Sequence, residues 1–171
     1  MSNVNRWYYG DKNCILINIL SAVTVELGDL MFLDNSDNLR NDGSSTANNC
    51  AYPISYLRIS GSSLELNKAQ AKSRFLGVAM DDKDGVSGGA DQKLSIATSG
   101  QFTYDLKPAK TVHVGNYFGP SGTTSASDMF NQKIAQTTNS DVAMGYFSEN
   151  KIHAAEAIIT IRTAFGPGGP V

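Results

Sequence analysis

Residues 23–33, "VTVELGDLMFL", restrict the possible folds more than any other stretch of the chain. Val23, Val25 and Leu27 alternate with Thr24 and Glu26, which is the period of a strand rather than of a helix. Gly28-Asp29 then interrupts, and Leu30 to Leu33 run continuously apolar, as a strand covered on both faces does. Glycine reaches positive φ without a Cβ clash, and an aspartate carboxylate can accept backbone N–H groups at a turn. The stretch therefore predicts two strands meeting at a tight Gly-Asp corner.

The same pattern recurs along the chain. "YPISYLRIS" (52–60), "FLGVAMD" (75–81), "KLSIATSGQFTYDL" (93–106), "QKIAQTT" (132–138), "VAMGYFSE" (142–149) and "AIITIRTAF" (157–165) read as strands between Gly, Asn, Asp and Ser. "TSGQF" (98–102) predicts a hairpin turning at Ser99-Gly100, and "VHVGNYF" (112–118) repeats the Gly-centred corner of 25–31. Only "LELNKAQAKSRF" (64–75) suits a helix, of one or two turns. Seven or more short strands make the expected fold mainly β: a single compact β-barrel or β-sandwich-like domain with one short helix. At 171 residues the chain has room for one such domain, placed at 22–165, with an N-terminal arm or strand at 1–21 and a flexible tail, "GPGGPV", at 166–171.

Charge argues against several partners. With 14 Lys plus Arg against 16 Asp plus Glu, no duplex-tracking basic face is implied, and Lys68, Lys72 and Arg74 on the helix read as a solvated face. "CILINIL" (14–20) falls short of the roughly 20 residues that span a bilayer, and the residues ahead of it make a poor signal-peptide n-region. Nucleic acid and membrane are therefore not expected as partners. Cys14 and Cys50 lack metal-ligand spacing and read as two reduced thiols, with a Cys14–Cys50 disulfide as the alternative.

Motifs for catalysis are sparse. His113 and His153 have no nucleophile motif beside them and read as surface or edge residues. "DDKDG" (81–85) sets Asp81, Asp82 and Asp84 on a tight turn, but without the closing Glu of a calcium loop it reads as a solvated acidic turn. "GVSGGADQK" (85–93) lacks the Lys-Ser/Thr ending of a phosphate loop and reads as a mobile loop. No cofactor, metal site or enzyme activity is expected. A metal-assisted hydrolase built on the three aspartates and one histidine is the least favoured alternative. "RWYY", Arg6, Trp7, Tyr8 and Tyr9, concentrates side chains that dominate protein interfaces in an arm ahead of the first regular strand. These four are the candidate interface residues, with folding back to cap the domain's own core as the alternative.

The order "ELGDLMFLD", "FLGVAMDD", "LSIATSGQFTYDL", "VGNYFGP", "VAMGYFSEN" and "AIITIRTAF" resembles the capsid decoration, or cement, proteins of tailed bacteriophages. The resemblance spans roughly 22–165, and 76–79 with 97–100 carry most of it. The chain departs from that pattern in the longer segment 1–21, the insertion around 40–63 and the Gly-Pro tail.

The resemblance implies a non-enzymatic structural protein of the virion, made in the host cytoplasm and bound to the outer surface of an HK97-like shell. Its implied partners are the major capsid protein and further copies of itself, as a homotrimer or another homo-oligomer. Such a clamp stabilises the assembled shell by binding that state alone. The alternative is a tail or baseplate β-module or a carbohydrate-binding β-module, for which Trp7, Tyr8, Tyr9, Tyr52 and Tyr56 could stack on sugar rings.

Overall fold

The structure, a computed structural model, describes residues 13–35, 40, 49–57, 63–123 and 128–163, with 7–9 described by their backbone alone. The fold is mainly β. The strands are β1 (Trp7–Tyr9), β2 (Cys14–Ile19), β3 (Leu30–Leu33), β4 (Ala51–Pro53), β5 (Phe75–Ala79), β6 (Gln92–Ala97), β7 (Ser99–Val112), β8 (Tyr117–Gly122), β9 (Met129–Thr137), β10 (Gly145–Phe147) and β11 (Lys151–Arg162). One helix, α1 (Leu64–Ser73), and two 3-10 turns, Ile54–Tyr56 and Ser140–Val142, complete the described elements.

Two sheets divide the strands. In the first, β7-β11-β10-β8-β9 follow one another, and β9 returns to β7 through a parallel ladder at Asp105↔Lys133 and Leu106↔Ile134. That ladder closes a five-stranded barrel, and β1 adds to β7 opposite Gln101 and Phe102. The second sheet runs β2-β6-β5-β3-β4, antiparallel throughout, and curls until β4 lies near β2.

Period-two burial builds the barrel interior. Phe102, Tyr104 and Leu106 of β7 point inward while Thr103 and Asp105 stay partly exposed, and Ala157, Ile159 and Ile161 do the same on β11. Phe118 and Phe147 meet edge to face at 6.1 Å, a favoured aromatic geometry. The second sheet buries Ile19, Leu30, Met31, Phe32, Leu76 and Ile96, and the two interiors merge into one core. Beside it Asp34 and Arg40 form a buried ion pair, Nε to Oδ2 3.2 Å, with the Arg40 guanidinium 4.7 Å above the Tyr52 ring and hydrogen-bonded to its hydroxyl. Leaving either charge alone there would be costly.

The helix begins where Ser63 accepts the Leu66 N–H at 3.3 Å, an N-cap, and runs longer than the one or two turns expected. It presents Leu64, Asn67 and Ala71 to the interior.

Several expected strands differ from those observed. Residues 98–102 form no hairpin: β6 pairs with β2 and β5, whereas β7 pairs with β1, β9 and β11. Thr98 carries the chain from one sheet to the other, its N–H donating to Asn13 O at 2.7 Å and its carbonyl accepting the Thr163 N–H at 2.9 Å. A Ser-Gly pair fits either a hairpin tip or such a crossover, because both need only a sharp change of direction.

Residues 23–27 keep their alternating burial but make a single bridge, Val25 to Lys83, rather than a strand. After β4 the expected strand at 52–60 becomes a 3-10 turn, and 58–60 lie outside the described residues. Likewise 142–149 divides into a 3-10 turn and β10. The tail at 166–171 lies outside the described residues.

Candidate functional site

The Gly28-Asp29 corner joins the second sheet to the barrel. Gly28 has φ +91°, the left-handed region that favours glycine, and the Asp29 carboxylate accepts the Glu26 N–H at 3.0 Å, as the sequence implied. The Tyr104 hydroxyl, from β7, donates to Gly28 O at 2.5 Å.

The opposing strand is irregular here. Pro120 of β8 pairs with Ile134 and Gly122 with Met129, so two steps along β8 face five along β9. The ladder to β7 begins only at Lys133, leaving Phe130, Asn131 and Gln132 without ladder partners. Bulges of this kind re-aim side chains. Gln132 Nε2 donates to Asp29 Oδ1 at 2.9 Å and reaches Leu27 O at 3.3 Å and Glu26 Oε2 at 3.4 Å. Asn131 Oδ1 accepts the Ser55 N–H at 2.8 Å, while its Nδ2 lies 3.5 Å from Asp29 Oδ2.

Between corner, bulge and the Ile54–Tyr56 turn lies an open groove of about 480 Å³. Its lining mixes carboxylates (Glu26, Asp29, Asp105), amides (Asn131, Gln132), one ammonium (Lys133) and two rings (Tyr56, Phe130). The ammonium groups of Lys107 and Lys133 sit 4.8 and 5.2 Å from the Phe130 centroid. Burial pushes the Asp29 carboxyl up from its ordinary 3.8 to about 6. Donation from Glu26 N–H and Gln132 opposes that rise, and the charge of Glu26 adds to it.

A second surface stands out at one end of the barrel. Tyr117 of β8 and Tyr146 of β10 are direct cross-strand partners, 50% and 40% exposed. Val114, 58% exposed, lies on the turn before β8, and Ile152, 80% exposed, on β11. The Gly115 N–H to Phe147 O bond (3.0 Å) and the Val114 N–H to Asn150 Oδ1 bond (3.0 Å) tie that turn to the β10–β11 connection, bringing these residues to the same end.

The structure scatters the other residues singled out by sequence. Trp7, Tyr8 and Tyr9 form β1 at the rim of the barrel sheet, and Arg6 lies outside the described residues. The corner and the bulge are not legible as a pair in the sequence, because Asp29 and Gln132 are 103 residues apart.

Asp81, Asp82 and Asp84 are exposed. Between them the buried Lys83 sends its Nζ inward to Ser21 O (2.7 Å) and Val23 O (2.9 Å), so a cation of the chain itself is fixed in that turn. Among the described residues no three His, Cys, Asp or Glu side chains group as metal ligands. His113 and His153 are exposed, the latter with φ +48°. Cys14 and Cys50 are free thiols, one exposed and one buried. Glu65 pairs with Lys68 at 2.8 Å, and Arg74 Nε donates to Asn35 Oδ1 at 3.1 Å. Tyr52, expected as a sugar-stacking candidate, is fully buried; Tyr56 lines the groove.

No family model matches the chain, and no curated protein matches it. Among solved structures it is similar to the N base of the head fiber protein gp8.5 of bacteriophage phi29, with TM-score 0.45, 10% identity, and 87% of this chain and 94% of that one covered.

Proposed function

We propose that this chain is a structural decoration protein of a tailed-phage head that clamps neighbouring major capsid protein subunits from outside, as one copy of a homo-oligomer. The reading rests on the apolar end of the barrel. Monomeric surfaces scatter large apolar residues singly, whereas a grouped set marks a protein contact. Tyr117, Tyr146, Val114 and Ile152 form such a set on a closed barrel whose cross-strand ladders fix their spacing. Tyrosine is favoured at such contacts because it supplies a large ring with a polar tip. The order of strand and turn elements that resembles the cement proteins supports the same reading. The aromatic strand β1, placed at the sheet rim, supplies a second grip.

Capsids lacking the protein, mixed with the purified chain and sedimented, test this. The wild-type chain should co-sediment. Tyr117→Ser with Tyr146→Ser should weaken attachment by about 2 kcal/mol, roughly thirtyfold, with an unchanged circular dichroism spectrum. Trp7→Ala with Tyr8→Ala should act in the same direction. A wild-type chain that stays in the supernatant, or a tyrosine double variant that binds as well as wild type, would overturn the reading.

A further inference from the structure

We propose that the groove beside the β9 bulge is a saccharide-binding site, taking a neutral hexose unit with Tyr56 as its apolar platform and Glu26, Asn131 and Gln132 as hydrogen-bond partners. This inference is independent of the capsid reading.

A sugar ring presents hydroxyls that both donate and accept, together with a face of C–H groups. The wall that complements it combines carboxylate acceptors, amides that do both and an aromatic ring. The groove offers this mixture, and its volume of about 480 Å³ falls within the range of small-molecule sites.

Preorganisation supports the assignment. Asn131 is held by the Ser55 N–H and Gln132 by Asp29 and Leu27 O, so the two amides are already oriented before a ligand arrives. Of the two rings, Phe130 has Lys107 and Lys133 over it; Tyr56, partly buried with its ring 5.7 Å from that of Tyr52, lines the groove without a cation over it and is assigned the stacking role.

Charge narrows the class. Glu26, Asp29 and Asp105 share the lining with one ammonium, Lys133, which stands with Lys107 over Phe130. A phosphate or sulfate group would meet those carboxylates and be repelled. An alkyl ligand would cover the carboxylates and the remaining polar capacity of the two amides without offering a hydrogen bond in exchange for water. A neutral polyhydroxylated ligand avoids both costs.

The test is an NMR-monitored titration of the full chain with neutral oligosaccharides of glucose, galactose and N-acetylglucosamine, and with sulfate as the anionic control. At least one saccharide should shift the resonances of Ser55, Tyr56, Asn131 and Gln132 while sulfate does not. Tyr56→Ala should weaken that binding about tenfold and Tyr56→Phe should keep it. If Tyr56→Ala loses the dispersed amide spectrum, Tyr56→Leu, which keeps bulk but not the ring, replaces it with the same expectation. No perturbation of the groove by any saccharide at its solubility limit, stronger perturbation by sulfate, or sugar binding indifferent to loss of the ring would each overturn the proposal.

Discussion

At Asp29, local turn chemistry and long-range packing use the same carboxylate. The Glu26 N–H it accepts is a near neighbour, and a Gly-Asp pair after an alternating run was enough to foresee it. The Gln132 amide it also accepts comes from 103 residues away, and nothing in "FNQK" distinguishes a bulge that reaches a carboxylate from an ordinary strand. Burial raises the Asp29 carboxyl to about 6, so the native state holds a proton in the window between 3.8 and about 6 where the unfolded chain has released it. Stability from this group is thus present below 3.8 and lost as pH rises through about 6. Urea unfolding between pH 4 and 7 should show the advantage of wild type over Asp29→Asn shrinking by roughly 2 to 3 kcal/mol across that span. A difference that stays flat with pH, or grows, would contradict the burial argument. The asparagine variant should fold, because its side-chain oxygen can still accept the Glu26 N–H that closes the turn.

Elements were legible in proportion to how locally they are determined. The continuous apolar run "FLGVA" located β5, which is buried at every position, and the change of pattern at 64 located α1. The crossover at Thr98 was misread as a hairpin, since which sheet a strand joins depends on partners far along the chain. β8 was legible only as the end of a corner, because Gly119 and Pro120 break its alternation. The bulge in β5 shows what an element can demand of one residue. Met31 faces Gly77 and Phe32 faces Phe75, and a Cβ at Gly77 would stand 2.0 Å from Ala97 O, with φ at +145°. At Gly28 the nearest atom to an added Cβ is 3.9 Å away, so only the backbone conformation opposes substitution. Gly28→Ala should therefore cost about 1 kcal/mol and Gly77→Ala about 3 kcal/mol, read as unfolding midpoints in urea. Equal costs would mean that the strand relaxes around the extra methyl group.

Across the whole molecule, a closed barrel and a curled sheet share one core; a mainly β domain with one short helix was legible from short strands between turn residues, whereas the division into two sheets was not. The apolar end and the groove lie at opposite ends of the β8–β9 ladder, since Tyr117 pairs with Thr137 and Gly122 with Met129. At roughly 3.3 Å per residue this separates them by about 20 Å, enough for two contacts to be made at once. A chain gripping a shell through Tyr117 and Tyr146 would then hold its groove away from that shell. The sequence pointed to the arm at Arg6 to Tyr9 as an interface because aromatic density is visible in one dimension, whereas a barrel end shared by Tyr117 and Tyr146 is visible only in the fold. The most direct measurement is high-resolution imaging of intact particles that carry this protein. Barrel density on the outside of the head, with the end bearing Tyr117 and Tyr146 against the major capsid protein, is the predicted result. Density confined to the tail, or a head-bound barrel with that end facing solvent, would contradict it.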